Sequence, residues 1–209
     1  MDIEILGIDG VRLLHPKSLQ DGRGSFCETF RSTWFEGDEF PKLDFCQDNQ
    51  SYSKRKGTLR GLHFQTGPSV QAKLVRCVRG AIFDVAVDLR IGSPTFGQYV
   101  SAQLSADNNL QILVPHGFAH AYLTLSPDTI VVYKTDNFYD QKREASVIWN
   151  DPEIAINWPI KNDRITLSKK DKAAPLFCEL PDYFVYDPSQ AFNVRCVDVK
   201  TPKSKAEIL

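Results

Sequence analysis

The sequence lacks the long apolar runs and paired cysteines that are typical of membrane and secreted proteins. No stretch of its 209 residues approaches the roughly 18–20 consecutive apolar residues of a membrane helix. Its first residues also lack the basic and apolar regions of a secretory signal. The five cysteines are odd in number, widely spaced and without a C-x-x-C pair. We therefore expect free thiols, a cytoplasmic location and no membrane partner.

An excess of charge of either sign is missing as well. The chain has 25 Lys and Arg residues against 26 Asp and Glu, which leaves a net charge of −1. That balance argues against nucleic acid or an anionic membrane surface as the main partner. Glycine-rich phosphate loops and the G-x-S-x-G motif of serine hydrolases are also absent, so neither kind of site is predicted.

What the sequence does contain is a series of short apolar runs, separated by turns that its 12 glycines and 12 prolines favour. Residues 81–89 alternate strictly, with apolar side chains on one face and Asp84, Ala86 and Asp88 on the other. A period of two residues is typical of a β-strand. The other runs with strand character are Leu59–Gln65, Lys73–Val78, Gln98–Leu104, Leu110–Val114, Ala119–Leu125 and Thr129–Lys134.

The spacing of these strands predicts an all-β fold. Strands that recur about every 8–12 residues, with turns between them, are typical of an antiparallel sandwich or barrel. Helix is predicted only at Arg31–Phe40 and in one turn after Ser168, where an S-x-x-D capping box is followed by Pro175. The composition changes after Pro175, and we expect the Lys-rich tip from Lys200 onward to be mobile.

Five polar side chains interrupt the predicted strands, namely His63, Lys73, His120, Tyr122 and Tyr133. Taken singly, each has an ordinary structural explanation. The histidine could be hydrogen-bonded inside a barrel, the lysine could be solvated at a sheet edge, and the tyrosines could serve packing. Taken together with a nearby Asp, they suit enolisation beside a ketone. A His removes a carbon-bound proton, a Lys stabilises the enolate oxygen, and a Tyr returns a proton from the other face. Their spacing alone leaves open whether they meet.

The histidine pattern does not favour a metal site. A cupin-type site would bring a closely spaced His pair, an acid and a further His to one ion. Here His116 lies in a Pro-Gly turn, and His63 has no partner at His-x-His spacing. We therefore predict no metal ligands.

Ten stretches of the sequence, in chain order, resemble those of a known family. They are DGRGSFCE (21–28), FCQDNQS (45–51), GTLRGLHFQ (57–65), QAKLVRCVRGAIFDVAVDLR (71–90), GSPTFG (92–97), LSA (104–106), GFAH (117–120), NDP (150–152), WP (158–159) and LSKKD (167–171). Together they are similar to the dTDP-4-dehydrorhamnose 3,5-epimerase family from about residue 3 to residue 177.

This resemblance implies a cupin-like jelly-roll β-barrel or sandwich with a few short helices over residues 1–177. Residues 178–209 would then form a C-terminal extension that packs on the same domain or trails from it. The resemblance further implies a homodimer that needs no metal or redox cofactor. The implied reaction inverts C3 and C5 of a dTDP-4-keto-6-deoxyhexose through enolates, as in rhamnose biosynthesis for lipopolysaccharide and other cell-surface polysaccharides.

The resemblance also implies roles for individual residues. His63 matches the catalytic base, Asp171 the carboxylate that orients it, Lys73 the group that stabilises the enolate, and Tyr133 the proton donor on the opposite face. The positions that match sugar-nucleotide binding are Arg23, Glu28, Gln47, Asn49, Arg60, His120, Glu144 and Lys170. Arg60 and Lys170 suit a diphosphate, which needs fixed cationic donors.

Two features of the sequence depart from the simplest pattern. Arg60 and His63 are three residues apart, so on an ideal strand their side chains point to opposite faces. Both reach one site only if the strand bends or bulges at Gly61. Ala121 and Tyr122 stand where Gly and Phe are commoner in the family, which leaves the identity of the sugar open.

Other functions stay open at this stage. A related enzyme of the same fold could be a 3-epimerase, a 5-epimerase or a 3,4-ketoisomerase for another deoxysugar. A non-catalytic sugar-binding cupin would keep the arginines but would not need His63, Lys73 or Tyr133, all of which are present.

Overall fold

The computed structural model describes residues 1–36, 40, 43–189 and 194–197. The strands, numbered in chain order, are β1 (Asp2–Ile5), β2 (Arg12–His15), β3 (Ser18–Asp21), β4 (Gly24–Cys27), β5 (Gln47–Ser53), β6 (Leu59–Gln65), β7 (Lys73–Arg79), β8 (Ala81–Asp88), β9 (Arg90–Ile91), β10 (Tyr99–Ser105), β11 (Gln111–Val114), β12 (Phe118–Thr124), β13 (Thr129–Thr135), β14 (Glu144–Ser146), β15 (Phe184–Tyr186) and β16 (Val194–Cys196). One α-helix, α1, spans Lys169–Lys172, and the 3₁₀ turns are Ser32–Phe35, Gly67–Ser69, Gln141–Arg143, Asn162–Arg164 and Phe177–Glu179.

Two antiparallel sheets form the body of the fold. One has the strand order β1-β2-β11-β7-β13-β5, and the other has the order β10-β8-β12-β6-β14. A shared apolar core joins them, since Val75 and Ile112 of the first sheet pack with Ile82 and Leu104 of the second. This arrangement confirms the predicted all-β fold of packed antiparallel sheets with few short helices.

The face of the second sheet that points away from the first is also covered. There Val85 and Val87 of β8 pack with Ile154, Trp158 and Phe184, which come from the chain after β14. The strict alternation of β8 is therefore confirmed, but its apolar face lies under the C-terminal part of the chain. Its acidic face points into the space between the two sheets.

The strands predicted from alternation all form, with ends that differ by at most one residue, as in Gln98–Leu104 against β10. The predicted helix at Arg31–Phe40 is a single 3₁₀ turn, Ser32–Phe35, and residues 37–39 lie outside the described residues. The Lys-rich tip from Lys200 onward also lies outside them. None of the described helices has the length and hydrophobicity that a membrane span requires.

A bulge in β6 gives that strand an extra residue. β12 pairs His120 with His63 and Tyr122 with Arg60, so two steps on β12 correspond to three on β6. Gly61 has a φ of +127°, and a Cβ there would stand 2.5 Å from the Cβ of Ala121. Only glycine accepts both conditions. The bulge turns Arg60 and His63 to the same face of the sheet. A bend or bulge at Gly61 was the condition predicted for both to reach one site.

The described part of the C-terminal segment is attached to the same body. β15 pairs in parallel with β9 and antiparallel with β16. Phe184 is fully buried, and its ring packs at 5.8 Å against that of Phe64 in β6. The division of the chain between residues 177 and 178 remains a prediction.

Candidate active site

A cavity of about 300 Å³ opens on the inner face of the sheets. Eight of the residues predicted from the sequence line it, namely Arg60, His63, Lys73, His120, Tyr133, Glu144, Lys170 and Asp171. An adjoining cavity of about 110 Å³ shares His63, Lys73, Tyr133 and Glu144 and adds the predicted Gln47 and Asn49. A slightly larger cavity, of about 340 Å³, includes the outward-facing Arg76 and Lys134 and has no histidine in its wall.

His63 and Asp171 form a hydrogen-bonded pair at one wall of the cavity. The His63 Nε2 atom lies 2.6 Å from Asp171 Oδ1. Burial favours a higher pKa for Asp171, but its hydrogen bonds with His63 and Ser168 outweigh this and hold the pKa below its usual value. A carboxylate at Nε2 favours the tautomer that carries its proton there and leaves a lone pair on Nδ1. His63 is thereby equipped to accept a proton.

The turn that contains Asp171 forms one of the two hydrogen bonds of the predicted capping box. Ser168 is the N-cap of α1, and its hydroxyl accepts a hydrogen bond of 3.0 Å from the Asp171 amide. The Asp171 carboxylate turns to His63 instead of back to the helix start. One residue thus closes the first turn through its backbone and holds the histidine through its side chain.

Lys73 is the first residue of β7, and its amine points into the cavity. The Nζ atom donates to the backbone oxygen of His63 at 3.3 Å. Burial lowers the pKa of Lys73 to about 8, although the charges of Asp84 and Glu144 oppose this. The amine is therefore a buried cation at neutral pH, in the same cavity as the His63 imidazole.

Tyr133 and Arg60 complete the inner wall. Burial raises the pKa of the Tyr133 hydroxyl, while the charge of Arg60 partly opposes that rise, so the hydroxyl is protonated at neutral pH. The Arg60 guanidinium donates to the backbone oxygen of Tyr52 at 3.1 Å and to the Ser53 hydroxyl at 3.4 Å. These bonds fix its orientation.

His120 forms a second pair with a carboxylate, deeper in the fold. Its Nε2 atom lies 3.0 Å from both oxygens of Asp84, which is fully buried. Burial raises the pKa of Asp84, and the neighbouring His120 and Lys73 oppose that rise. His120 was predicted from the sequence, whereas its partner was recognised only as an acidic residue on a strand.

Glu144 and Lys170, both predicted to bind substrate, form an ion pair with each other. The Tyr139 hydroxyl also donates to Glu144, at 2.8 Å. Burial favours a higher pKa for Glu144, but these two partners outweigh it and lower the pKa. The lysine ammonium is half-exposed, so it remains accessible at the cavity mouth.

Two predicted substrate-binding residues lie elsewhere in this chain. Arg23 is at the tip of the β3–β4 hairpin and pairs with Asp21 at 2.6 Å. Glu28 follows β4 and pairs with Arg31 at 2.6 Å. Neither contributes to the cavity that contains His63.

Two further hydroxyls line the cavity, those of Ser51 and Tyr122, to which the sequence analysis assigned no role in the site. Ser51 ends the motif at residues 45–51, and Tyr122 alternates with His120 on β12. That alternation, visible in the sequence, places Tyr122 on the face of His120, because residues two apart on a strand share a face. In the described part of the chain, no group of three or more His, Cys, Asp or Glu side chains is arranged to hold a metal ion.

Comparison with known proteins identifies the family. A model of the dTDP-4-dehydrorhamnose 3,5-epimerase family matches residues 6–179. The chain belongs to this family. It is 48% identical, over 186 residues, to the dTDP-4-dehydrorhamnose 3,5-epimerase of Sinorhizobium fredii, with 89% of this chain and 94% of the relative covered.

Solved structures of the family have the same fold. The dTDP-6-deoxy-D-glucose-3,5-epimerase of Legionella pneumophila, in complex with dTDP-4-keto-L-rhamnose, is 42% identical and superimposes with a TM-score of 0.82, covering 86% of this chain and 94% of that one. A 3′-monoepimerase from Streptomyces bikiniensis, in complex with dTDP-quinovose, is 37% identical with a TM-score of 0.74, covering 83% and 86%.

These similarities confirm the family, the cupin-like jelly-roll fold and the epimerase function predicted from the sequence. The chain is an isomerase.

Proposed function

We propose that this chain inverts C3 and C5 of a dTDP-4-keto-6-deoxyhexose with His63 as the base and Tyr133 as the acid. The observation that carries the proposal is the convergence of the His63–Asp171 pair, the Lys73 amine and the Tyr133 hydroxyl on one cavity. A base, an oxyanion-stabilising cation and a second proton donor are the groups that inversion beside a ketone requires.

In the proposed reaction, His63 takes a proton from the carbon next to the C4 ketone through its free ring nitrogen. The C–H electron pair moves into a C=C bond, and the carbonyl electrons move onto O4. The Lys73 ammonium stabilises that oxyanion, an interaction typically worth ~3–4 kcal/mol. Tyr133 then gives its proton to the opposite face of the carbon. Because the ketone acidifies both neighbouring carbons, one set of groups serves C3 and C5 if the ring moves between steps and if solvent removes the proton from His63 and returns one to Tyr133.

The remaining residues of the cavity would hold the nucleotide sugar. Arg60, which is fixed by two hydrogen bonds, and Lys170 at the mouth are the cations suited to the diphosphate. The polar side chains assigned to the rest of the substrate are Gln47, Asn49, His120 and Glu144.

A homodimer would account for Arg23 and Glu28, which lie apart from the cavity of their own chain. Their hairpin exposes apolar side chains, with Phe26 72% exposed and Leu19 56% exposed. Such exposure is unusual for a two-stranded hairpin unless another surface covers it. We propose that a second copy of the chain covers the hairpin and receives Arg23 and Glu28 beside its own substrate.

The proposal also includes a cytoplasmic location and a place in the supply of rhamnose for lipopolysaccharide or a similar polysaccharide. All five cysteines are free thiols, which suits a reducing compartment. The relatives that support the pathway are those whose names contain dehydrorhamnose.

Deuterium exchange tests the reaction directly. With dTDP-4-keto-6-deoxyglucose in D₂O, we expect deuterium at both C3 and C5 and a product with the rhamno configuration by NMR. Exchange at C3 alone would make the chain a 3-epimerase, like the 3′-monoepimerase that it resembles. Exchange at neither carbon would refute the proposed function.

Mixed dimers test the contribution of Arg23. Arg23→Ala and His63→Ala would each lose activity as separate proteins, while a mixture refolded together would regain about a quarter of the wild-type rate if the residues meet across the interface. No recovery, or a monomer at micromolar concentration in analytical ultracentrifugation, would contradict the shared site.

A further inference from the structure

The hydroxyl groups of Ser51 and Tyr122 form a pair in the cavity wall that the proposed reaction does not use. Their oxygen atoms are 2.5 Å apart, which is the distance of a strong hydrogen bond. Tyr122 is 5% exposed, and both residues line the cavity that contains His63. Burial raises the pKa of Tyr122 to about 12, so both hydroxyls keep their protons at neutral pH.

Counting donors leaves one hydrogen without a protein acceptor. Two hydroxyls carry two hydrogens, and the bond between their oxygens uses one of them. Within the described residues, neither hydroxyl makes a further hydrogen bond to the protein. A buried donor that stays unpaired is costly, so such a group is expected to find a partner in the cavity.

The strand register locates this free donor along the substrate. On β5, Asn49 pairs with Tyr133, and Ser53 accepts from Arg60. Ser51 stands between these two positions on the same face of the strand. The free donor therefore lies between the cation suited to the diphosphate and the hydroxyl suited to reprotonation. A neutral donor at that place suits a neutral oxygen of the hexose better than a phosphate oxygen.

From this geometry we propose that the Ser51–Tyr122 pair is a substrate-binding group that donates one hydrogen bond to a hexose oxygen near the diphosphate. The inference rests on the proposed function for the orientation of the substrate. It adds a sugar-specific contact to the cavity, one that dTDP without its sugar does not make.

The decisive variant is the double substitution Ser51→Ala with Tyr122→Phe. Either single variant keeps one hydroxyl that can turn to the ligand, so each loses less than the pair. Both changes are conservative in volume, and thermal melting checks that the fold is retained. The matched control is Tyr52→Phe, because Tyr52 is the next residue on β5 and its hydroxyl donates to Asp128 outside the cavity.

Calorimetric affinities for dTDP and for dTDP-glucose separate the sugar contact from the nucleotide contacts. We expect the double variant to bind dTDP-glucose about 10-fold more weakly than wild type and to bind dTDP within 2-fold. A tenfold loss corresponds to about 1.4 kcal/mol, which is the size expected for one hydrogen bond. Turnover should show the same loss mainly in KM, as for a contact made equally in ground and transition states. Tyr52→Phe should leave both affinities unchanged.

Two outcomes would overturn the proposal. Unchanged affinity for dTDP-glucose in the double variant would mean that the pair does not bind the hexose. An equal loss for dTDP and dTDP-glucose would move the contact to the nucleotide or diphosphate. The proposed function is judged separately, since wild type that binds both ligands but exchanges no deuterium would refute the reaction and leave the binding result standing.

Discussion

Two histidine–carboxylate pairs face the same cavity, yet their surroundings differ. The His63 side chain is 29% exposed and meets Asp171, which comes from the turn at α1. The His120 side chain is 7% exposed and meets Asp84 from the adjacent strand β8. The pKa of Asp171 lies below its usual value, whereas burial raises that of Asp84. Thus the two pairs make similar contacts but differ in access. The His63 imidazole is accessible and has an ionised partner, whereas the His120 imidazole is buried.

The comparison indicates a division of roles. A general base needs access to the substrate and a partner that stabilises the imidazolium when it forms. The His63–Asp171 pair meets both requirements. The His120–Asp84 pair is more deeply buried and Asp84 interacts with Lys73, so we infer that the pair shapes the cavity and supports the charge of that lysine.

The largest effect should come from matched substitutions of the two histidines by glutamine. The glutamine amide can still donate to the carboxylate, but it cannot act as a base. We expect His63→Gln to slow deuterium exchange at C3 and C5 by about 10³-fold, within the usual range for a general base. His120→Gln should lose at most about 10-fold, mainly in KM. Equal losses in the two variants would abolish the distinction between the pairs.

Substitution of the two carboxylates should give smaller and different effects. Asp171→Asn removes the charge that stabilises the His63 imidazolium and lets the wrong tautomer form, so we expect kcat to fall by roughly 10²-fold. Asp84→Asn removes a charge that raises the pKa of Lys73. The alkaline limb of the pH–rate profile of Asp84→Asn should therefore lie at a lower pH than that of the wild type. An unshifted limb would show that Asp84 does not support the lysine.

Many strands and residues of this site could be predicted from the sequence, because strand periodicity and ordered motifs both depend on local structure. β6 was predicted with its observed ends, and the bulge at Gly61 followed from the requirement that Arg60 and His63 share a face. The partner of His120 was harder to predict. Alternation in β8 separates apolar from acidic residues, but it cannot say which face is inside.

The inside face of β8 is decided by parts of the chain that are distant in sequence. Trp158 and Phe184 cover the apolar face, so Asp84 points between the sheets. No local pattern near residue 84 contains that information. The position of Arg23 was unpredictable for a related reason, since its place in a site would depend on a second chain.

The smallest expected effect concerns stability, and it tests the lysine that stands between the two pairs. Lys73 has a pKa of about 8 in the folded protein against 10.5 for an ordinary lysine. Below pH 8 both states are protonated, and folding bears the cost of burying the cation. As the pH rises from 8 to 10.5, the folded state releases its proton first, so stability increases until the cost disappears.

Lys73→Met should therefore raise the free energy of unfolding at pH 7 by about 1–3 kcal/mol, the order that such a pKa difference implies. The gain should shrink above pH 8 and vanish near pH 10.5. Urea unfolding at pH 7 and at pH 10 measures both values. Lys134→Met is the control, because its ion pair with Asp48 at 2.8 Å is exposed and worth at most ~1 kcal/mol. If Lys73→Met is instead less stable than wild type at pH 7, the buried Lys73 cation stabilises the folded protein, and the proposed free-energy cost of its burial is wrong.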